Sequence, residues 1–158
     1  MDLFNWTDTL LLPCDKGFKV VEEEDKDAIG MLPGANADVL WDRERHILIS
    51  LASKTINGFS AALLSAKDIA KNDEGYLREI MDRFGYQLIG FTEIPVGSKM
   101  AQGFEYNYTA KGDVPMRGIT SVVKDGKTLT YIHIYFRTAE RSESLACVRD
   151  IFDNAKWI

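Results

Sequence analysis

The dipeptide Asp125-Gly126, set between two runs of alternating side chains, constrains this chain more than any other feature. Asp-Gly between apolar strands favours a two-residue type I′ hairpin loop, because both central residues need positive φ. With that loop, Lys124 faces Lys127. Counting outward pairs Val122 with Leu129, Thr120 with Tyr131, Gly118 with His133 and Met116 with Tyr135, and on the other side Ile119 with Ile132. The hairpin is the second half of three consecutive antiparallel strands, running Gly103 to Thr109, Arg117 to Lys124 and Thr128 to Arg137.

The register sorts side chains onto two faces. One is aliphatic, with Ile119, Val123, Ile132, Ile134 and Phe136; the other is aromatic and more polar, with Tyr131, His133 and Tyr135. In the preceding strand Phe104, Tyr106 and Tyr108 alternate against Gly103, Glu105 and Asn107, and strand propensity favours core packing for these rings. A sheet apolar on both sides needs a cover on both sides.

The rest of the chain supplies candidates for those covers. Thr9 to Pro13 reads as an edge strand stopped by Pro13, and Gly17 to Val21 as a second strand. The acidic run Glu22 to Asp27 reads as a solvated turn or helix start, since it lacks the alternating ligands and Gly of a calcium loop. Pro33-Gly34 marks a break. Ala37 to Trp41 and Ile47 to Ala52 form a hairpin, with His46 as a polar strand-end residue. Ser65 and Asp68 form a capping-box start for a helix whose stripe is Ile69, Tyr76, Leu77, Ile80, Met81 and Phe84. Asn72 to Gly75 interrupts that stripe, which predicts a kink or two pieces, and Gly85 ends it.

Tyr86 to Thr92 returns as a strand, and Pro95-Val96-Gly97 turns the chain. Thr138 or Ser142 caps a last helix with Leu145, Val148, Ile151, Phe152 and Ala155 on one side, and Trp157 anchors the tail. Strands segregated from helices predict a single α+β domain, a predominantly antiparallel sheet flanked by helices.

Gly103-Phe-Glu-Tyr-Asn-Tyr108 following a strand and a turn, then a meander with an Asp-Gly-Lys turn and a closing helix, resembles the PsbP-like and DcrB-like group. The resemblance covers roughly Tyr86 to Trp157, with a match for the helix from Ser65 to Phe84. It implies an α/β/α sandwich used as a binding or accessory module. Members include photosystem extrinsic subunits, a Ran-GTPase-binding import factor, lipoproteins and chaperones for secreted effectors, and they share no catalytic residues to carry over.

Composition narrows the function classes. At 158 residues with net charge -5, the chain has no electrostatic footprint for nucleic acid or an anionic membrane. No apolar run reaches the ~20 residues that span a bilayer, so membrane insertion is not expected. The start lacks a secretory signal, which predicts a cytoplasmic protein if Met1 is the native start; the sequons at Asn5 and Asn107 are then chance matches. Cys14 and Cys147 have no zinc-like spacing and read as reduced thiols packed as small hydrophobes.

No Gly-rich phosphate loop, nucleophile elbow or His-Glu metal motif occurs, so neither cofactor, metal nor enzymatic activity is expected. The constellation that remains is Gly118, Tyr131, His133 and Tyr135. Gly118 either leaves room there for a ligand or partner, or allows close approach of the chain's own groups. The expected function is a non-enzymatic binding or accessory protein that presents a sheet face or edge to a protein partner. The alternative is a small-molecule carrier or sensor using the Tyr131/His133/Tyr135 face, with His133 as its pH-sensitive group.

Overall fold

The computed structural model describes residues 2–25 and 37–158. Ten strands and three α-helices are present among these residues. In chain order they are β1 (Asp2–Trp6), β2 (Leu10–Cys14), β3 (Phe18–Val20), β4 (Asp38–Asp42), β5 (Ile47–Thr55), α1 (Gly58–Leu63), α2 (Ala66–Ile80), β6 (Gln87–Val96), β7 (Lys99–Ala110), β8 (Val114–Asp125), β9 (Thr128–Arg137), α3 (Arg141–Asp153) and β10 (Lys156–Trp157). They form a seven-stranded sheet in the order β3-β4-β5-β9-β8-β7-β6 and a three-stranded sheet in the order β1-β2-β10. Every pairing is antiparallel.

Two covers bury the two faces of the large sheet. The aliphatic face (Ile119, Val123, Ile132, Ile134, Phe136, with Ile49 and Leu51 of β5) packs against Val148, Ile151 and Phe152 of α3 and Leu10 and Leu12 of β2. Each such side chain fully buried contributes about 1.5–3 kcal/mol. On the aromatic face Leu77 of α2 and the adjoining Met81 pack on Phe104 and Tyr106. The predicted α+β sandwich is the observed one, with the small sheet sharing the α3 side.

The hairpin register differs from the expected one by two positions. Asp125 pairs with Thr128, Lys124 with Leu129, Val122 with Tyr131, Thr120 with His133, Gly118 with Tyr135 and Ile119 with Ile134. The loop is Gly126-Lys127, and within it only Gly126 has positive φ, at 59°. Asp125 is retained in β8, where Lys99 Nζ on β7 donates to its Oδ2 at 2.6 Å. A shift of two preserves the side-chain parity, so the separation into aliphatic and aromatic faces stands.

Other expectations are corrected by packing. Thr9 to Pro13 is not an edge: β2 is the middle strand of the small sheet, with β10 on its far side. The helix does not break at Asn72 to Gly75, and α2 runs through it. Glu74 points inward, and Arg78 and the Tyr86 hydroxyl (2.8 Å) donate to its carboxylate, so a buried acid replaces an apolar residue in the stripe. Tyr76 and Ile80 are exposed rather than core.

Ser65 and Asp68 do form the capping box, and Gly85 closes the following 3₁₀ turn in the left-handed region at φ 74°. The turn after β6 lies at Gly97-Ser98, with Pro95 still in the strand. At α3 neither Thr138 nor Ser142 caps; Glu140 holds that position without a side-chain cap bond. Trp157 Nε1 donates to the Val96 carbonyl at 2.7 Å, tying β10 to the β6–β7 turn. The break at Pro33-Gly34 and the end of the acidic run at Lys26 and Asp27 lie outside the described residues; Glu23–Asp25 is a 3₁₀ turn.

Candidate functional site

Alternation along β9 directs Tyr131, His133 and Tyr135 to the α2 side of the sheet, two residues apart. Their rings stand nearly parallel. Tyr131 and His133 have centroids 6.1 Å apart with planes at 4°, and His133 and Tyr135 are 6.4 Å apart at 13°. All three are half-buried. His133 Nδ1 lies 3.0 Å from Thr120 Oγ1, its cross-strand partner. The structure therefore brings the three β9 residues together as expected.

Gly118 plays a different part from a ligand opening. It sits between Tyr135 on β9 and Tyr106 on β7. A Cβ there would lie 2.4 Å from the Tyr106 ring, so the space Gly118 leaves is filled by that ring. Tyr106 is fully buried, its hydroxyl pushed up to about 12 by burial. Tyr108 then meets Tyr135 edge-on, with centroids 6.3 Å apart at 87°.

At the other end Tyr131 packs with Ile69 and Leu129, with Asp73 of α2 as its charged neighbour. Burial raises the Asp73 carboxyl above its ordinary range, while burial and the neighbouring Asp73 charge push the Tyr131 hydroxyl up to about 12. α2 thus covers this face over β7 and β8 and reaches Tyr131.

Burial lowers the His133 imidazole to about 4 from its ordinary value of 6.5. The unfolded chain binds this proton as pH falls below 6.5, whereas the folded chain does not until about 4. The stability this group contributes is complete above pH 6.5 and is lost between 6.5 and 4. At 1.36 kcal/mol per pH unit, the loss from pH 7.5 to 4.5 is about 2–3 kcal/mol. Asp73, whose carboxyl is raised, works in the opposite direction at the acid end. Urea midpoints at the two pH values test this: His133→Gln flattens the dependence above pH 4.5, and an unchanged slope refutes the assignment.

On the opposite face lies an ionic cluster that no local pattern announces. Glu105 of β7 accepts from Arg117 Nη1 of β8 at 2.7 Å and from Arg141 of α3, through Nε at 2.9 Å and Nη2 at 3.1 Å. Arg117 Nε also donates to Asn107 Oδ1 at 2.7 Å. Burial pushes the Glu105 carboxyl up, but the hydrogen bonds from Arg141 and Arg117 outweigh it and hold it below its ordinary range. One carboxylate is shared by two guanidiniums from β8 and α3, so its role is to clamp α3 to the sheet.

The margin formed by β6 is a second candidate region. Ile89 occupies a bulge between paired Leu88 and Gly90 and is exposed. Phe91 is 52% exposed, touching Phe104 edge-on at 6.3 Å, and Met100 of β7 is exposed beyond it. Between this margin and α2 runs a groove of about 380 Å³, lined by Lys67, Ala70, Lys71, Phe91, Glu93 and Gln102 among others. A larger depression, of about 690 Å³, flanks β3; its basic Lys16, Lys19 and Arg43 stand against the acidic Glu22, Asp25, Asp42 and Glu44.

Among the described residues no group of three or more His, Cys, Asp or Glu could hold a metal ion. Cys14 is buried and Cys147 half-buried, both as free thiols; burial, with Asp15 and Cys147 nearby, pushes the Cys14 thiol up to about 12, far from a reactive thiolate. Among the described residues no helix is long and apolar enough to cross a membrane.

No family profile and no curated protein sequence matches this chain. Solved structures do. The solution structure of cyanobacterial PsbP (CyanoP) from Synechocystis superposes with a TM-score of 0.70 at 14% identity, over 99% of this chain and 92% of that one. LpqN, involved in cell envelope biogenesis of Mycobacterium tuberculosis, gives 0.56 at 12% identity over 94% and 82%. A Bacteroides thetaiotaomicron protein gives 0.61 at 6% identity, with this chain spanning 48% of its length. At such identities the likeness shows the fold, which is PsbP-like.

Proposed function

We propose that this chain uses its PsbP-like fold as a non-enzymatic binding or accessory module, presenting the β6 margin of the large sheet to a protein partner. The observation that carries the reading is the uneven distribution of cover. α2 packs on Phe104 and Tyr106, while Ile89, Phe91 and Met100 stay exposed along the margin. Large apolar groups gathered at one edge fit a surface that is covered by association.

A second reading, a small-molecule carrier or sensor, is favoured by one observation: the half-open stack of Tyr131, His133 and Tyr135. One experiment separates the two. A photoreactive benzoylphenylalanine is placed at Phe91, Met100 or Tyr131 in the source cells, and the purified chain is screened for thermal shift against metabolites. Discrete protein adducts at Phe91 and Met100 but not at Tyr131 support the first reading. A metabolite that raises Tm, with the effect lost in His133→Ala, supports the second. No adduct at the margin overturns the first.

A further inference from the structure

The margin's own geometry specifies what kind of partner surface it can take. β6 is the last strand of the large sheet, so one side of its backbone has no strand partner among the described residues. The opposite edge, β3, offers only three residues, whereas β6 has ten. Long edges are normally blunted by bulges, prolines and charges. Here the bulge at Ile89 and Pro95 fall at the two ends, and they bracket the regular stretch Gly90 to Ile94. That stretch is long enough to pair with an extended segment of about five residues.

Resting on the reading of this margin as the docking surface, we propose that β6 receives an extended segment of a partner protein as an eighth strand. The segment carries an apolar side chain with an acidic one two residues away. Added strands hydrogen-bond through their backbone and are selected by alternate side chains. Side chains on the α2 side of such a strand enter the groove between β6 and α2. There Phe91 and Ala70 supply an apolar floor, and Lys67 and Lys71, one helical turn apart, supply the rim. Lys67 also meets Glu93, with Nζ 3.2 Å from Oε1, in a solvent-exposed pair. With Lys67 so engaged, Lys71 remains as the group that answers a carboxylate on the incoming strand. The lining is net positive in a chain whose total is -5.

The same charges argue against a second copy of this chain. Two β6 strands pairing antiparallel across a two-fold axis would place both α2 helices on one side of the joined sheet. Lys67 and Lys71 would then approach their own counterparts, like charge against like.

A displayed library of randomised heptapeptides, selected on the full chain, tests the proposal. Expected are peptides pairing an apolar residue with Asp or Glu two positions away, and slowed amide hydrogen exchange within Gly90 to Ile94 when a selected peptide is bound. Affinity falls at least tenfold in Phe91→Ala and in Lys67→Glu/Lys71→Glu, and N-methylation of alternate peptide bonds abolishes binding. Selected peptides that lack acid, that protect amides elsewhere or that tolerate N-methylation overturn it. So does the recovery of no peptide, or a concentration-dependent dimer in sedimentation that is lost in Phe91→Ala. Adducts at Phe91 without strand pairing leave the docking margin standing and remove only strand addition; failure of both removes both.

Discussion

Replacing Glu105 with Ala lowers unfolding free energy by about 3–5 kcal/mol, the range expected when one member of a buried ion cluster is removed. The cost comes from what remains: Arg117, only 14% exposed, keeps its charge and loses its carboxylate. Arg141 is 43% exposed and recovers water, which places the expected value near the lower end. Guanidinium denaturation of Glu105→Ala and of Glu105→Ala/Arg117→Leu provides the check. The double variant recovers part of the loss, because the stranded charge is gone. A single-variant cost under about 1 kcal/mol would mean that water replaces the carboxylate and that the clamp contributes little. The wild-type contribution of Glu105, whose carboxyl is held below its ordinary range, is present above pH 4.5 and is lost as pH falls through the lowered value.

Gly103→Ala has an effect of comparable size through sterics alone. A Cβ at Gly103 would lie 2.1 Å from the Thr120 carbonyl oxygen and 2.8 Å from Ser121 Cα. Those atoms belong to the neighbouring β8 backbone, which cannot rotate aside as a side chain would. The expected destabilisation therefore exceeds about 3 kcal/mol, beyond the usual 1–3 for overpacking. Gly75→Ala is the internal control. Nothing lies within 4 Å of its Cβ position in α2, so Ala there stabilises by up to about 1 kcal/mol. Equal costs at the two sites would show that β7 and β8 separate more easily than their close approach implies.

These sites differ in how far the amino-acid pattern reveals them. The Phe104, Tyr106, Tyr108 alternation places the three rings on one face and Glu105 on the other, and the structure keeps that division. Strand parity is local, so it survives even a hairpin register displaced by two positions. Two non-local contacts accompany the displacement: Asp125 answers Lys99 on β7, and Lys124 Nζ reaches the Ala61 carbonyl of α1 at 2.6 Å. Neither contact follows from the turn residues themselves.

The identity of the cover was equally invisible. Gly118 reads in sequence either as room for a ligand or as close approach of the chain's own groups, and the occupant that decides for the second, Tyr106, comes from another strand. Glu74 breaks the apolar stripe of α2 in sequence because its partner Tyr86 lies beyond the helix end. The β6 margin was missed because exposure of Ile89 and Phe91 depends on which strand ends the sheet, a property of topology rather than of hydrophobic pattern.

That topology also carries a kinetic consequence. β9 pairs with β5 at the centre of the large sheet, although α1, α2 and the strands β6, β7 and β8 intervene in the chain. The hairpins β6–β7, β7–β8 and β8–β9 close over short turns and can assemble first. The β5–β9 seam must gather the whole intervening chain, and loop-closure entropy is lost before any of its contacts form. Zipping that seam is therefore the expected slow step of folding, and until it occurs β5 and β9 are both bare edges. For a nascent chain the hazard is self-association at the middle of the sheet, at the strands that end up most completely enclosed.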